Sequence, residues 1–182
     1  MASISNTAGI IGGNGKRRPM DFYPTPDECT IALLDFLQIP KGATIWECAA
    51  GGGDMARVFR AYGYKTITTD VLTGTDFLTA PDEECDWIIT NPPFSLSDRF
   101  IIRAAGAGRP FAFLLKSQYW HAGRRLPLFE EITPSYILPL TWRPDFTGRK
   151  ASLMDVCWVV WNGEPGTRYI PLRRPERGGE NK

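Results

Sequence analysis

The segment that decides the fold is TIWECAAGGGDMARVFRAYG, residues 44–63. Its first residues, Thr44-Ile45-Trp46, predict a buried strand, and Asp54–Tyr62 predicts a helix that Gly63 ends. A strand, a glycine-rich loop and a helix in this order form the unit from which parallel sheets are built. The alternation continues along the chain, so we expect an α/β fold with a doubly wound, mostly parallel sheet.

Further elements are predicted on both sides of this segment. A first helix is expected to run to about Leu37, with Thr25 as its N-cap, Pro26 at its first position and Glu28 completing a capping box. The remaining predictions are strands at 65–69, 86–90, 111–115, 136–140 and 156–161, and a helix at 96–105. Ligands of such sheets bind beyond the carboxyl ends of the strands, so the residues that directly follow strands are the first site candidates.

Length and composition indicate one catalytic domain. The chain has 182 residues, of which 43% are apolar, enough for one core. We expect a flexible arm over residues 1–20, a single domain over 21–172 and a charged tail over 173–182. The chain has no apolar run of membrane-spanning length and no apolar signal-peptide core. A cytoplasmic protein is therefore expected.

The cysteines and the charges narrow the function classes. The four cysteines are far apart and form no C-x-x-C pair, so we expect free buried thiols and no metal site. Residues 1–98 hold 7 basic and 13 acidic residues, for a net charge of −6. Residues 99–182 hold 14 basic and 7 acidic residues, for a net charge of +7. A basic half indicates either a face for a polyanion or unevenly distributed solvated charge.

The loop after the first strand is a candidate cofactor site. Gly51, Gly53 and Ala56 satisfy the spacing G-x-G-x-x-G/A, which by itself is also met by plain glycine turns. Asp70 ends the second strand 23 residues after Glu47, where a carboxylate can accept both hydroxyls of a ribose.

Two further residues extend this site. Asp76 is a candidate acceptor for an adenine amino group, with a turn carboxylate as the alternative. Phe77 would flank the adenine ring. An NAD site would use the same geometry, so these residues predict a cofactor that contains adenosine.

The most specific signal is Asn91-Pro92-Pro93-Phe94, directly after the strand at 86–90. Neither proline donates a backbone N–H, so the pair ends the strand and holds Asn91 in a fixed frame. The Asn91 side-chain oxygen and the Pro92 carbonyl can accept both hydrogens of an aryl amine, which aims its lone pair at a methyl donor. Phe94 offers a face for the target base. The alternative is a turn that merely ends a strand.

Together these motifs resemble the amino-methyltransferases of DNA, and most of all the small phage-type adenine methyltransferases. The resemblance covers roughly residues 21–161 and rests on Asp21-Phe22-Tyr23-Pro24-Thr25-Pro26, Glu47-x-x-x-Gly51-x-Gly53, Asp70, Asp76-Phe77 and Asn91-Pro92-Pro93-Phe94. It implies a seven-stranded Rossmann-like sheet with a last antiparallel strand, S-adenosyl-L-methionine as cofactor, and the N6 amine of a flipped-out adenine in DNA as target.

The resemblance also assigns residues to the cofactor, and the chain departs from it in two respects. Tyr23, Pro24 and Thr25 would touch the methionine end, and Glu47 and Ala49 belong to the glycine-rich loop that binds the cofactor. Cys48 stands where the family often has proline, and the chain has no room for a separate target-recognition domain.

The second half of the chain supplies candidates for binding the substrate. Two loops that follow strands, residues 117–125 and 142–150, combine cations with aromatic residues. The cations would contact phosphates and the aromatics an extruded base. The candidates are Lys116, Trp120, Arg124, Arg125, Arg143 and, by resemblance, Phe146. The alternative is that the aromatics pack on the core and the arginines are solvated.

Two other functions remain open from the sequence. One is methylation of a different planar nitrogen, in RNA adenine or in a protein glutamine amide. The other is a non-catalytic Rossmann-like nucleotide-binding module, which would make the Asn91–Phe94 segment accidental.

Overall fold

The structure of the protein is a computed structural model that describes residues 24–148 and 154–176. The arm predicted at residues 1–20, the predicted cofactor residue Tyr23, the end of the loop at 142–150 and most of the predicted tail lie outside these residues.

The centre of the molecule is a seven-stranded sheet in the order β2-β1-β3-β4-β6-β5-β7. Its strands are β1 Thr44–Glu47, β2 Lys65–Thr68, β3 Trp87–Thr90, β4 Phe111–Lys116, β5 Tyr136–Pro139, β6 Val156–Trp161 and β7 Arg168–Tyr169. The first four strands are parallel, and β6 runs antiparallel to both of its neighbours, β4 and β5. The predicted doubly wound, mostly parallel sheet with an antiparallel strand is confirmed.

Helices cover both faces of this sheet. They are α1 Asp27–Leu37, α2 Asp54–Ala61, α3 Ser97–Gly106 and the unpredicted α4 Leu126–Glu131. Neighbouring residues of one strand point to opposite faces: Ile45 packs with α1 and α2 in one core cluster, whereas Trp46 packs with α3 in the other. The central strands β3, β4 and β6 are therefore nearly continuous apolar runs, as expected for strands buried on both sides.

The predicted cap of the first helix is wrong. Pro26 occupies the N-cap position and no side chain caps the helix. The Thr25 hydroxyl, expected to cap it, instead accepts a hydrogen bond from Asn91 Nδ2 at 3.0 Å. Thr25 thus bonds to a residue that is distant in the sequence instead of capping the helix next to it. This contact links Thr25 to the end of β3.

The edge of the sheet differs in detail from the sequence prediction. Strand β7 was not predicted; it follows β6 and pairs in parallel with β5 through Arg168 and Tyr169. A two-residue strand with both side chains exposed carries no periodic apolar pattern, so the sequence held no signal for it. Within the described part of the chain, no helix has the length and apolarity that crossing a bilayer requires.

Candidate active site

A cavity of about 620 Å³ opens at the carboxyl ends of β1, β2 and β3. Parallel strands end at the same edge of a sheet, so residues far apart in the chain meet there. The cavity brings together most of the predicted cofactor residues, namely Pro24, Thr25, Glu47, Ala49, Asp70, Asp76, Phe77 and Asn91, and also Pro93.

The glycine-rich loop is held in shape by Asp70. Gly51 and Gly53 have φ angles of 51° and 80°, in the left-handed region that glycine adopts without strain. The Gly51 N–H donates to Asp70 Oδ2 at 2.8 Å, and the Leu72 N–H donates to Asp70 Oδ1 at 2.8 Å. Asp70 thus fixes the loop while still lining the cavity. Each of its oxygens keeps a second lone pair for a ligand.

Asp76 and Phe77 form another part of the wall. Asp76 Oδ1 accepts from the Leu78 N–H at 2.9 Å. The Phe77 ring is only 2% exposed and packs between Trp46 and Phe100, at centroid distances of 5.1 and 5.0 Å. Phe77 is therefore a core residue whose edge forms part of the wall.

Glu47 is a buried acid at the end of β1. It is 2% exposed, and its Oε2 has no hydrogen-bond partner among the described residues. The pKa of Glu47 is raised to about 8. Burial is the main cause, and a backbone hydrogen bond from Ala56 acts in the opposite direction. A buried carboxyl with a free oxygen beside a cavity is prepared for a ligand that donates hydrogen bonds or carries positive charge.

Asn91 directly follows β3 and presents one unused atom. Its Nδ2 is bound to Thr25, as described above, and its Oδ1 is buried without a hydrogen-bond partner among the described residues. Buried polar atoms are nearly always paired, so a lone acceptor of this kind calls for a ligand donor. The amide is oriented by a residue 66 positions away in the chain, and sequence patterns held no sign of that contact.

A second cavity of about 270 Å³ adjoins the first, and Ser95 lines both. Its other lining residues are Phe94, Ser97, Lys116, Gln118, Tyr119 and Arg125. Lys116 Nζ lies 4.5 Å from the centroid of the Phe94 ring. The end of β4 and the Asn-Pro-Pro-Phe segment are thereby joined in one site.

Several predicted substrate cations are bound within the protein itself. Arg125 Nε donates to Asp98 Oδ1 at 2.8 Å, and its guanidinium stacks on Tyr119 at 4.1 Å. Arg143 Nε donates to Asp155 Oδ1 at 2.8 Å. Arg124 is exposed. Arg124 and Arg143 are thus both exposed, Arg143 in a surface ion pair, whereas Arg125 is a structural residue of the second cavity.

The aromatic residues that were predicted to contact a base pack against other residues of the protein. Phe146 is 4% exposed and belongs to the core cluster beside α1 and α2, so its ring is not available for stacking on a base. Trp120 is half-buried and packs on Phe129 at 4.8 Å and on Tyr119 at 5.6 Å. Aromatic rings bury the most apolar area, so core packing outcompetes an exposed position.

Other cavity residues were missed from the sequence. Val71 and Leu72 line the larger cavity and are 58% and 66% exposed. The only signal in the sequence was that two apolar residues directly follow the predicted ribose-binding acid; their exposure in the structure suits a position that a bound ring would cover. Arg99 and Ser95 had no such signal, since their position depends on how α3 meets the sheet.

The described residues bring together no group of three or more His, Cys, Asp or Glu side chains that could hold a metal ion. No protein-family model matches the chain, and no curated protein sequence matches it either.

Comparison of folds identifies similar solved structures. A protein from Listeria monocytogenes assigned as a class I S-adenosylmethionine-dependent methyltransferase is 14% identical, with 88% of this chain and 68% of that chain covered and a TM-score of 0.61. A protein from Vibrio vulnificus assigned as the modification subunit of a type I restriction enzyme is also 14% identical, with 85% and 48% covered and a TM-score of 0.60.

A protein from Pyrococcus horikoshii assigned as an RNA methyltransferase is again 14% identical, with 84% of this chain and 92% of that chain covered and a TM-score of 0.57. This chain spans about half the length of the Vibrio subunit. At these identities the likeness concerns the backbone, and the chain has the Rossmann-like fold of the S-adenosylmethionine-dependent methyltransferases.

Proposed function

We propose that the protein is an S-adenosyl-L-methionine-dependent methyltransferase that methylates the exocyclic N6 amine of adenine in DNA. The observation that carries the proposal is the buried Oδ1 of Asn91 at the cavity wall, which has no hydrogen-bond partner among residues 24–148 and 154–176 and whose amide is held in place through Thr25. An exocyclic amine has two hydrogens to donate, so it provides the partner that this oxygen lacks.

The charge of the larger cavity favours S-adenosylmethionine over NAD. Among its described lining residues are three aspartates, Asp54, Asp70 and Asp76, against one cation, Arg99. A fourth acid, Glu47, adds negative charge once a bound cation offsets the burial that raises its pKa. S-adenosylmethionine carries a sulfonium and an α-ammonium, whereas NAD carries a negatively charged pyrophosphate. Negative walls attract the first and repel the second.

Each part of the cofactor has a matching group in the cavity. Asp70 accepts from the ribose hydroxyls and Asp76 from the adenine amino group, with Val71 and Leu72 covering the ring. The free Oε2 of Glu47 receives the α-ammonium of the methionine part. This pairing returns Glu47 to its ionised form, because an adjacent cation offsets the burial that raises its pKa.

The chain's own residues position the target amine. When bound, S-adenosylmethionine supplies an electrophilic methyl group on sulfur. The Asn91 Oδ1 and the Pro92 carbonyl accept the two hydrogens of the amine, which concentrates its lone pair on nitrogen. The nitrogen–methyl bond forms as the carbon–sulfur bond breaks, and the surplus proton leaves to solvent. Catalysis here consists of positioning and hydrogen bonding, with no strong base.

Two features support nucleic acid, and DNA in particular, as the substrate. Phe94 lines the smaller cavity, which adjoins the cavity of Asn91 at Ser95. The second half of the chain carries a net charge of +7. The modification subunit from Vibrio vulnificus shares the fold, and modification in a restriction system is directed at DNA.

The test is methyl transfer from radiolabelled S-adenosylmethionine to adenine-unmethylated DNA, to RNA and to a glutamine-containing protein, with the product nucleoside identified by mass spectrometry. The expected result is N6-methyladenine in DNA. Label in RNA or protein alone would support the proposed methyltransferase activity but contradict DNA as its substrate. Tight cofactor binding without transfer to any acceptor would point to a binding module.

A further inference from the structure

Several polar groups in the wall of the smaller cavity are bound to other groups of the protein. Ser97 Oγ donates to the Phe94 carbonyl at 3.1 Å. Arg125 Nε and the Tyr119 hydroxyl both donate to Asp98 Oδ1, at 2.8 and 2.7 Å. The two bonds to Asp98 join α3 to the segment after β4, so they hold this wall in place.

Gln118 lines the same cavity and is exposed. Within the part of the chain that the structure describes, its carboxamide makes no hydrogen bond to another residue. An exposed amide is hydrated, so it can exchange water for a ligand without leaving a protein group unpaired. The carboxamide offers a ligand one acceptor oxygen and two donor hydrogens in one plane.

The backbone that carries Gln118 is held on both sides. The Ser117 N–H donates to the Asp155 carbonyl at 2.9 Å, and the His121 N–H donates to the Gln118 carbonyl at 3.1 Å. The next residue, Tyr119, is buried. A side chain on a fixed backbone loses less freedom when it binds a ligand than one on a mobile loop.

The cavity of Gln118 adjoins the cavity of Asn91 at Ser95. In the proposed function, the Asn91 Oδ1 and the Pro92 carbonyl accept both hydrogens of the target amine. What adenine still offers beside that amine is its two neighbouring ring nitrogens, N1 and N7, and both are acceptors. An acceptor at this position is matched by a donor on the protein.

Resting on the proposed function, we infer that Gln118 is a specificity-determining residue whose Nε2 donates a hydrogen bond to a ring nitrogen next to the target amine, N1 or N7 of adenine. Cytosine has an acceptor nitrogen on only one side of its amine, and the amide of a protein glutamine has no ring nitrogen. The contact therefore favours adenine over both.

Adenine analogues test this contact one ring nitrogen at a time. 1-Deazaadenine and 7-deazaadenine each replace one ring nitrogen with C–H and keep the exocyclic amine. Each is placed at a position that the wild-type protein methylates, in DNA or, if RNA alone is methylated, in RNA. The replacement also changes the reactivity of the amine itself, so the loss of kcat/KM is compared between protein variants, which cancels that effect.

Two variants remove the donor, and a third is the control. Gln118→Met keeps the length of the side chain and Gln118→Glu keeps its shape, and neither retains the amide donor at neutral pH. Gln38→Met is the matched control, because it removes the same amide from an exposed residue directly after α1. Gln38 is not among the residues that line the two cavities.

We expect one of the two analogues to lower kcat/KM by a further 2- to 10-fold or about that in the wild type and in Gln38→Met, relative to both Gln118 variants. This is the range of one neutral hydrogen bond. Equal losses in all four proteins for both analogues would overturn the inference and leave the proposed function. A loss that depends on Gln118 in RNA alone would keep the contact and contradict DNA as the substrate. Methylation of no adenine in either polymer would overturn both.

Discussion

The two cavities of this protein are built in different ways. The larger one is made of residues that directly follow β1, β2 and β3 and is shaped by backbone contacts such as Gly51 to Asp70. The smaller one is made by side chains of residues 94–97, of the end of β4 and of the segment after it, and is braced by the ion pair of Arg125 with Asp98. Most residues of the predicted cofactor motifs line the first cavity, whereas in the second the side chains predicted to contact substrate partly bind other groups of the protein. Sites anchored by the backbone can be predicted from the spacing of residues in the sequence. Sites built from long side chains are harder to predict, because other groups of the protein also bind those side chains.

The largest expected effect is on Asn91, at the wall of the larger cavity. Asn91→Ala removes the proposed acceptor of the target amine, so kcat should fall at least about 100-fold, as for the loss of one preorganised transition-state hydrogen bond. Cofactor affinity should stay within a few-fold. Radiolabel transfer and titration calorimetry measure the two quantities.

Asn162→Ala serves as the control for this prediction, because its amide bonds only within the turn to Glu164 in the hydrogen bonds that the structure shows. Near wild-type transfer by Asn91→Ala would contradict the proposed mechanism.

A second prediction tests the larger cavity alone. Asp70→Ala removes a buried carboxylate that orders the loop and faces the ribose, a loss of about 1–3 kcal/mol, which corresponds to about 5- to 150-fold weaker S-adenosylmethionine binding. Titration calorimetry provides the measurement.

Asp86→Ala is the matched control for Asp70. Asp86 Oδ2 accepts from the Thr44 N–H at 2.7 Å, at the start of β1 and away from the cavity. This variant should lower the melting temperature without changing affinity. Equal weakening in both variants would mean that Asp70 acts through folding only.

A third prediction concerns the pH dependence that Glu47 confers. Its pKa is raised from 4.5 to about 8 in the folded protein, so between these values the folded state holds a proton that the unfolded chain has lost. The contribution of Glu47 to the free energy of unfolding should therefore be most favourable below pH 4.5 and fall as pH rises toward 8, by at most about 1.4 kcal/mol per pH unit. Urea unfolding of the cofactor-free protein measures it.

Glu47→Gln should remove this contribution, and Glu84→Gln, at an exposed residue, should not. Cofactor binding at pH 7 should also release a proton from Glu47, seen as a heat of binding that varies with the ionisation enthalpy of the buffer. Binding heats independent of the buffer would disprove the pairing with the α-ammonium.

The smallest expected effect compares two arginines of the basic half. Arg124→Ala should raise the KM for DNA a few-fold and reduce the salt slope by about one, because Arg124 is exposed. Arg143→Ala removes the same charge, but Arg143 is paired with Asp155, so its effect should be under twofold. DNA titrations between 50 and 200 mM salt, within the range where phosphate contacts dominate, provide the measurement. Equal effects would show that the ion pair opens on DNA.

The sequence predicted most of the fold because the central strands are buried on both faces. Runs such as Phe111–Lys116 and Val156–Trp161 are almost wholly apolar, and their boundaries match the predictions within a residue. Helix α4 and strand β7 were missed, since six and two residues are too few for a periodic pattern.

What the sequence determined by itself is the order of strand, glycine loop and acid, together with the Asn-Pro-Pro-Phe segment, since these depend on local backbone geometry and on where parallel strands end. Only the tertiary structure decided that Thr25 orients Asn91, that Glu47 is buried with an oxygen to which no described residue bonds, and that Phe146 lies in the core. Each of these depends on contacts between side chains that are far apart in the sequence. Such contacts are determined by packing in three dimensions and leave no pattern along the chain.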